Sequence, residues 1–171
     1  MSIDAILQSI NSIGLARHIQ MSEAFFPNLE ALHVLGITLL FGSIVLIDLR
    51  LLGVFGRERS YPAMSRDLIR WTWLGFAIAL ITGGLMFISN AAMYFHNTQF
   101  QFKLLLLALA GINMLILEFR TIQQLPAWDG TYVASPPAVR LAAALSLTFW
   151  TSILILGRWV GFTLSPPGFG L

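Results

Sequence analysis

Apolar residues run along this chain in four long stretches, at about 29–54, 68–95, 100–122 and 138–164. Each exceeds the roughly 20 apolar helical residues that cross the hydrocarbon core of a bilayer. The second is the cleanest, with no charge between Arg70 and Lys103. Polar and small residues within them recur at helical spacing, so each predicted helix carries one distinct stripe. On the first span the stripe is Glu30, His33, Ile37, Leu40, Ile44 and Asp48; on the second it is Gly75, Ala79, Thr82, Met86, Ser89 and Asn90. The third carries Lys103, Leu107, Ala110, Met114, Glu118 and Thr121, and the fourth Arg140, Ala144, Leu147, Thr151, Leu154 and Arg158. A charge facing lipid at mid-bilayer costs about 2.5–3.5 kcal/mol on insertion scales, so the stripes are expected to turn towards one another. The fold predicted is all-α, a four-transmembrane-helix bundle forming one membrane domain over residues 1–171.

Before the first span, Ile3, Ile6, Leu7, Ile10 and Ile13 fall on one helical face, opposite Asp4, Gln8, Asn11 and Ser12. Residues 1–20 therefore read as a short N-terminal amphipathic helix, suited to the membrane–water boundary or to a neighbouring subunit. A signal peptide is not expected, because a basic start and a continuous apolar core are lacking. Helix starts are expected after Pro27, with Asn28 as cap, and after Pro136-Pro137. The connections 55–67, 96–99 and 123–137 are short, and Trp128 and Tyr132 in the last read as interfacial residues.

Composition sharpens the class. Hydrophobic residues make up 57% and charged residues 11%, where a soluble domain carries about 25% charged. An ordinary water-soluble enzyme, a nucleic-acid-binding module and a disordered tail are excluded. Cysteine is absent, which removes disulfides, thiolate metal sites and thiol chemistry. The basic residues set an expected orientation. Arg57, Arg59, Arg66, Arg70, Arg120 and Arg140 lie on or beside the first and third connections, against Arg17, Lys103 and Arg158 at the other ends. The positive-inside rule puts those connections in the cytoplasm and both termini outside, so a multi-pass protein of a bacterial inner membrane is expected.

Depth sorts the polar groups into two layers. The outer layer holds Glu30, His33, Asn90, Lys103 and Arg158, with His96 and Gln99 in the adjoining turn. The inner layer holds Asp48, Arg50, Arg70, Glu118, Arg120 and Arg140. There Asp48 and Glu118 are expected to form structural ion pairs with Arg70 or Arg140, while Arg50 and Arg120 snorkel to the phosphates. The first and third spans also share an apolar run closed by acid-x-Arg, Asp48-Leu49-Arg50 and Glu118-Phe119-Arg120, as a duplicated two-span unit would.

The chemistry available centres on His33, the one histidine inside a span. Glu30 three residues before it gives the Glu-x-x-His spacing of bundle metal sites, but a di-iron centre needs two such motifs. Haem b could take His33 with Met86, Met93 or His96 as second ligand. Copper could take His33, His96 and Met93. A hydrogen-bonded structural histidine and a site for a quinone or an acidic small molecule remain open beside these. Arg158 could hold a carboxylate or propionate, or pair with Glu30.

The strings Glu30-Ala-Leu-His33-Val-Leu-Gly36, Asp48-Leu-Arg50-Leu-Leu-Gly53, Trp71-Thr-Trp73, Thr82-Gly83, Asn90-Ala91 and Phe102-Lys103 resemble a bacterial family of small four-span inner-membrane proteins of unknown function. That family is more remotely similar to copper-resistance D-like membrane proteins. The resemblance covers spans one to three and implies the fold and the membrane, without supplying an activity. Its third span often ends in Phe-His where this chain has Leu117-Glu118. The expected function is ligand or cofactor binding near the outer mouth by Glu30, His33, Met86, Asn90, Lys103 and Arg158. With haem or copper the role would be electron transfer or metal handling. The alternative is a non-catalytic accessory subunit or self-assembling scaffold, its partners the bilayer and either further copies or another membrane subunit.

Overall fold

The computed structural model describes residues 2–121 and 135–164, with side chains given for 2–119 and 135–164. Arg120, Thr121, Trp128 and Tyr132 therefore fall outside the described side chains. Among the described residues there are seven helices and no strand: α1 (Ile3–Asn11), α2 (Gly14–Met21), α3 (Phe25–Leu52), α4 (Tyr61–Ser89), α5 (Ala91–Phe95), α6 (Thr98–Thr121) and α7 (Pro137–Thr163). Four of them, α3, α4, α6 and α7, are long and apolar enough to cross a membrane.

The boundaries follow local chemistry, with some departures from expectation. Helix α3 begins at Phe25 instead of after Asn28. Pro27 fits its first turn, where the missing N–H would have had no intrahelical partner. Gly53, at φ +77°, ends the helix in the left-handed conformation that glycine adopts most readily. The second apolar stretch is not one helix. It breaks at Asn90 (φ −141°, ψ 46°) and resumes as the short α5.

Residues 1–20 also form two helices rather than one, and both lie on their own chain. Leu7, Ala16 and Ile19 are buried, whereas Ile3, Ile6, Ile13 and Leu15 stay exposed. The docking repairs the break at Asn90. There Ala91 N–H donates to Asn11 Oδ1 at 2.7 Å, and the Gln20 amide donates to the Ser89 carbonyl. These are backbone groups that a continuous helix would have satisfied internally. Asn11→Ala should therefore expose the Ala91 amide. The expected result is local loss of hydrogen-exchange protection at 89–95 and about 1–3 kcal/mol of destabilisation. Unchanged protection there would show that the cap is not what holds the break.

The closest packing is between α3 and α4. A Cβ on Gly75 would lie 2.6 Å from the Leu40 nitrogen and 2.7 Å from the Gly36 oxygen, so the two backbones touch. Close approaches also join α3 to α7 and α7 to α6. Helix α6 meets α4 at the capped end, where the Phe87 and Phe100 rings stack at 5.6 Å. At the opposite, arginine-rich end a small core of Leu51, Tyr61, Val139 and Ala143 is formed.

The expected inward stripe holds on α4 and on much of α3 but is displaced on α7. The residues buried there are Val139, Ala143, Ser146, Ile153 and Val160, the first four of them one position back from Arg140, Ala144, Leu147 and Leu154. Small Ala143 and Ser146 let α7 approach its neighbours, and Arg140 and Arg158 are carried to the exposed side. On α6 the far half of the stripe, Met114 and Glu118, is exposed as well.

Candidate binding site at the capped end

His33 lies eight residues into α3, Thr82 seven from the end of α4, Lys103 five into α6 and Gly157 six from the end of α7. At about 1.5 Å per residue, all four sit about 8–12 Å inside the same end of the bundle. Their contacts join them across the helices. His33 Nδ1 is 3.0 Å from Thr82 Oγ1, and the imidazole lies so close to Gly83 that a Cβ there would stand 2.9 Å from its Cε1. The Lys103 side chain runs against Gly157, whose Cβ position is 3.4 Å from Nζ. The Lys103 charge is near enough to act on His33.

Hydrogen bonding orients the His33 ring. Thr82 donates its single hydroxyl hydrogen to the Ile78 carbonyl at 2.6 Å. With that hydrogen committed, the hydroxyl oxygen accepts from Nδ1–H of His33, and the Ala79 carbonyl is a further acceptor beside the ring. An imidazole oriented by a protein hydrogen-bond partner behind one nitrogen is the usual setting of a ligand-binding histidine. Met86, half-buried, follows Thr82 by one turn on the same face. Lys103 has neither a carboxylate nor a hydrogen-bond partner among the described residues.

The other predicted site residues are distributed differently. Asn90 forms the α4–α5 break and lines a shallow cleft of about 480 Å³ with Ile19, Gln20 and Phe26. Glu30 is exposed and its charge falls on Tyr94. Burial, and after it that carboxylate, raise the Tyr94 phenol above its ordinary value. Arg158 does not meet Glu30. It is exposed, with its guanidinium 4.8 Å over the Phe162 ring. His96 is exposed and paired with Asp4 at 3.0 Å, and Met93 is exposed beside it. His33 and His96 thus belong to separate clusters, and no group of three His, Cys, Asp or Glu able to hold a metal occurs among the described residues.

The inner-layer pairs are also replaced. Asp48 is 3% exposed and lies within hydrogen-bond reach of the Ser146 hydroxyl on α7, while its Oδ2 has no partner. Arg70 instead lies over Trp71 at 5.5 Å, and Arg140 and Glu118 are exposed. Asp48 faces α7, whereas both arginines project from outward faces. Arg50 does not snorkel. It is 1% exposed and donates Nε–H to the Arg59 carbonyl at 2.7 Å.

Residues 21–163 match the model of a family of unknown function, DUF6644. The chain belongs to this family. The DUF6644 match takes in all four helices long and apolar enough to cross a membrane and the whole of the His33–Thr82–Lys103–Gly157 layer, and it leaves out α1 and all of α2 except Met21. A search of curated proteins and of solved structures found nothing similar to the chain.

The sequence pattern places Thr82 on the right face without linking it to His33, puts Asn11 on the polar face of the N-terminal helix without its role at Ala91, and gives no role to Gly157 or Ser146. Measuring depth from opposite ends of antiparallel helices would have put His33, Thr82 and Gly157 at one level.

Proposed function

We propose that this protein is a membrane-embedded binding protein, whose site at the capped end is built on His33 and Lys103. The observation that carries this reading is His33, anchored to Thr82 Oγ1 at 3.0 Å, at the same depth as Lys103, which has no carboxylate partner among the described residues. A ligand suited to this pair accepts the imidazole lone pair, or donates to it, and brings negative charge or a carbonyl oxygen to Lys103. The donor types match haem b: His33 and Met86 would hold the iron, and Lys103 would meet a propionate. Bound there, the haem would supply one-electron transfer. The protein's part is to fix the imidazole through Thr82, to neutralise the ligand's charge through Lys103 and to keep water out with the apolar middle of the bundle. Copper on His33, His96 and Met93 is supported less, because His96 is already held by Asp4 at the surface.

Protein purified in mild detergent should show a Soret band, or one equivalent of metal, that is lost in His33→Ala while the helical content is kept. A colourless, metal-free preparation would remove the redox form of this reading and leave an accessory subunit or scaffold as the better account. That second reading has its own support in α6, where only 6% of the apolar span is buried within the chain. The inner membrane, with the termini outside, remains the location that the arginine distribution favours.

A further inference from the structure

The arginine-rich end holds a second concave feature, far from His33. A cleft of about 650 Å³ opens between the ends of α3 and α4 and the loop 53–60. Its lining is of two kinds. Leu46, Leu68, Val54 and Phe55 are the apolar part of its lining, and Val54 and Phe55 are 72% and 54% exposed. The charged part is Arg57 and Arg59 with Glu58 and Asp67. Directly behind lies Arg50, buried to 1%, with its Nη2 lacking any partner. The loop lies against it: Gly56, at φ +69°, has its Cβ position 3.8 Å from Arg50 Cδ and 3.5 Å from Met64 Sδ.

The local charge does not balance. Asp67 answers Arg59 at 2.8 Å, and Glu58 is the one other acid in the lining, against Arg57 and the buried Arg50. Arg50 has no carboxylate partner among the described residues, and its burial makes an uncompensated charge costly. The missing partner is an oxyanion. Its setting is amphiphilic, because the apolar part of the lining begins on α3 and α4, at Leu46 and Leu68, and Arg57, Glu58 and Arg59 lie in the loop. Guanidinium groups meet phosphate oxygens with paired N–H donors, which suits them to this ligand.

We propose that this cleft binds an anionic phospholipid. Its phosphate lies at the Arg59 rim, in competition with Asp67, and supplies the negative charge that Arg50 lacks. An acyl chain runs along Leu46, Leu68 and Phe55. Inorganic phosphate shares the head-group chemistry but has no use for the apolar part of the lining, so the two sources can be separated.

The test is titration of delipidated full-length protein in a neutral detergent, read by native mass spectrometry. The ligands are phosphatidylglycerol, phosphatidylcholine and inorganic phosphate. Phosphatidylglycerol should bind best. Arg59→Gln should weaken it about fivefold, the worth of one basic residue at an anionic lipid surface, and Phe55→Ser should weaken it as well. Arg66→Gln removes the same charge from the same end, outside the cleft, and should leave binding within about twofold. Equal losses in Arg59→Gln and Arg66→Gln would reduce the effect to diffuse attraction and overturn the proposal. So would equal binding of the two lipids, or inorganic phosphate that displaces the lipid at equal concentration.

Discussion

Gly75→Ala lowers the stability of the bundle more than any other methyl group added to it. The new Cβ would stand 2.6 Å from the Leu40 nitrogen and 2.7 Å from the Gly36 oxygen. Both are backbone atoms, which cannot rotate away as a side chain could. Helices α3 and α4 must then separate along their most intimate contact, at a cost of about 1–3 kcal/mol or more for overpacking. Gly36→Ala meets the same contact from the other side, with Ala79 N at 2.9 Å and Ile78 Cγ2 at 2.8 Å. The double variant should therefore cost less than the two single costs combined, because the helices need to part only once. Gly84→Ala is the control. Nothing lies within 4 Å of its Cβ position, so the change should be neutral or should gain up to about 1 kcal/mol from helix propensity. Thermal unfolding in detergent, followed by far-ultraviolet circular dichroism, measures all four proteins. If Gly75→Ala and Gly84→Ala melt together, the backbone contact between α3 and α4 is not present.

Thr82→Val is expected to have the next largest effect, and it separates a structural histidine from a binding one. Valine keeps the branched shape and removes the oxygen that accepts from His33 Nδ1–H. A part-buried donor without an acceptor costs about 1–3 kcal/mol, so the protein should be less stable whatever His33 does. A binding role adds a second effect. With its orientation no longer fixed, the imidazole should lose about 10–100-fold in ligand affinity, the usual consequence of removing the group behind a ligating histidine. Thr82→Ser restores the acceptor and should recover affinity more fully than stability. Gly83→Ala pushes on the ring instead, since its Cβ position is 2.9 Å from Cε1. It should impair binding with a smaller stability cost than Gly75→Ala, because an imidazole can yield where a backbone cannot. Loss of stability in Thr82→Val with ligand affinity intact would make His33 a packing residue only.

The spans were legible because a bilayer imposes a length and an apolarity that few other environments demand of a helix. The periodic stripe on α4 was legible for a similar reason. Gly75, Thr82 and Ser89 are small, and only a close neighbour explains small residues repeated on one face. On α7 the packed face is marked by Ala143, Ser146 and Gly157, while Arg140 and Arg158 are exposed. Near a helix end, a long cationic side chain can reach the interface from an outward face, so its position says little about which side packs. Small residues say more. The likeness of α3 to α6 is likewise only partial in three dimensions, since Asp48 is buried and Glu118 exposed.

By itself the sequence determined the four helices long and apolar enough to cross a membrane, the family and the position of each polar group along its helix, because hydropathy and counting along a helix are one-dimensional quantities. Only the tertiary structure decided that His33 is held by Thr82, that Lys103 rests on Gly157, and that Asp48 is joined to Ser146 instead of an arginine. It also decided that the first two helices complete the break at Asn90. These are choices of rotation and partner between segments distant in the chain, fixed by whichever backbones can approach most closely, and no periodicity within a single segment encodes them.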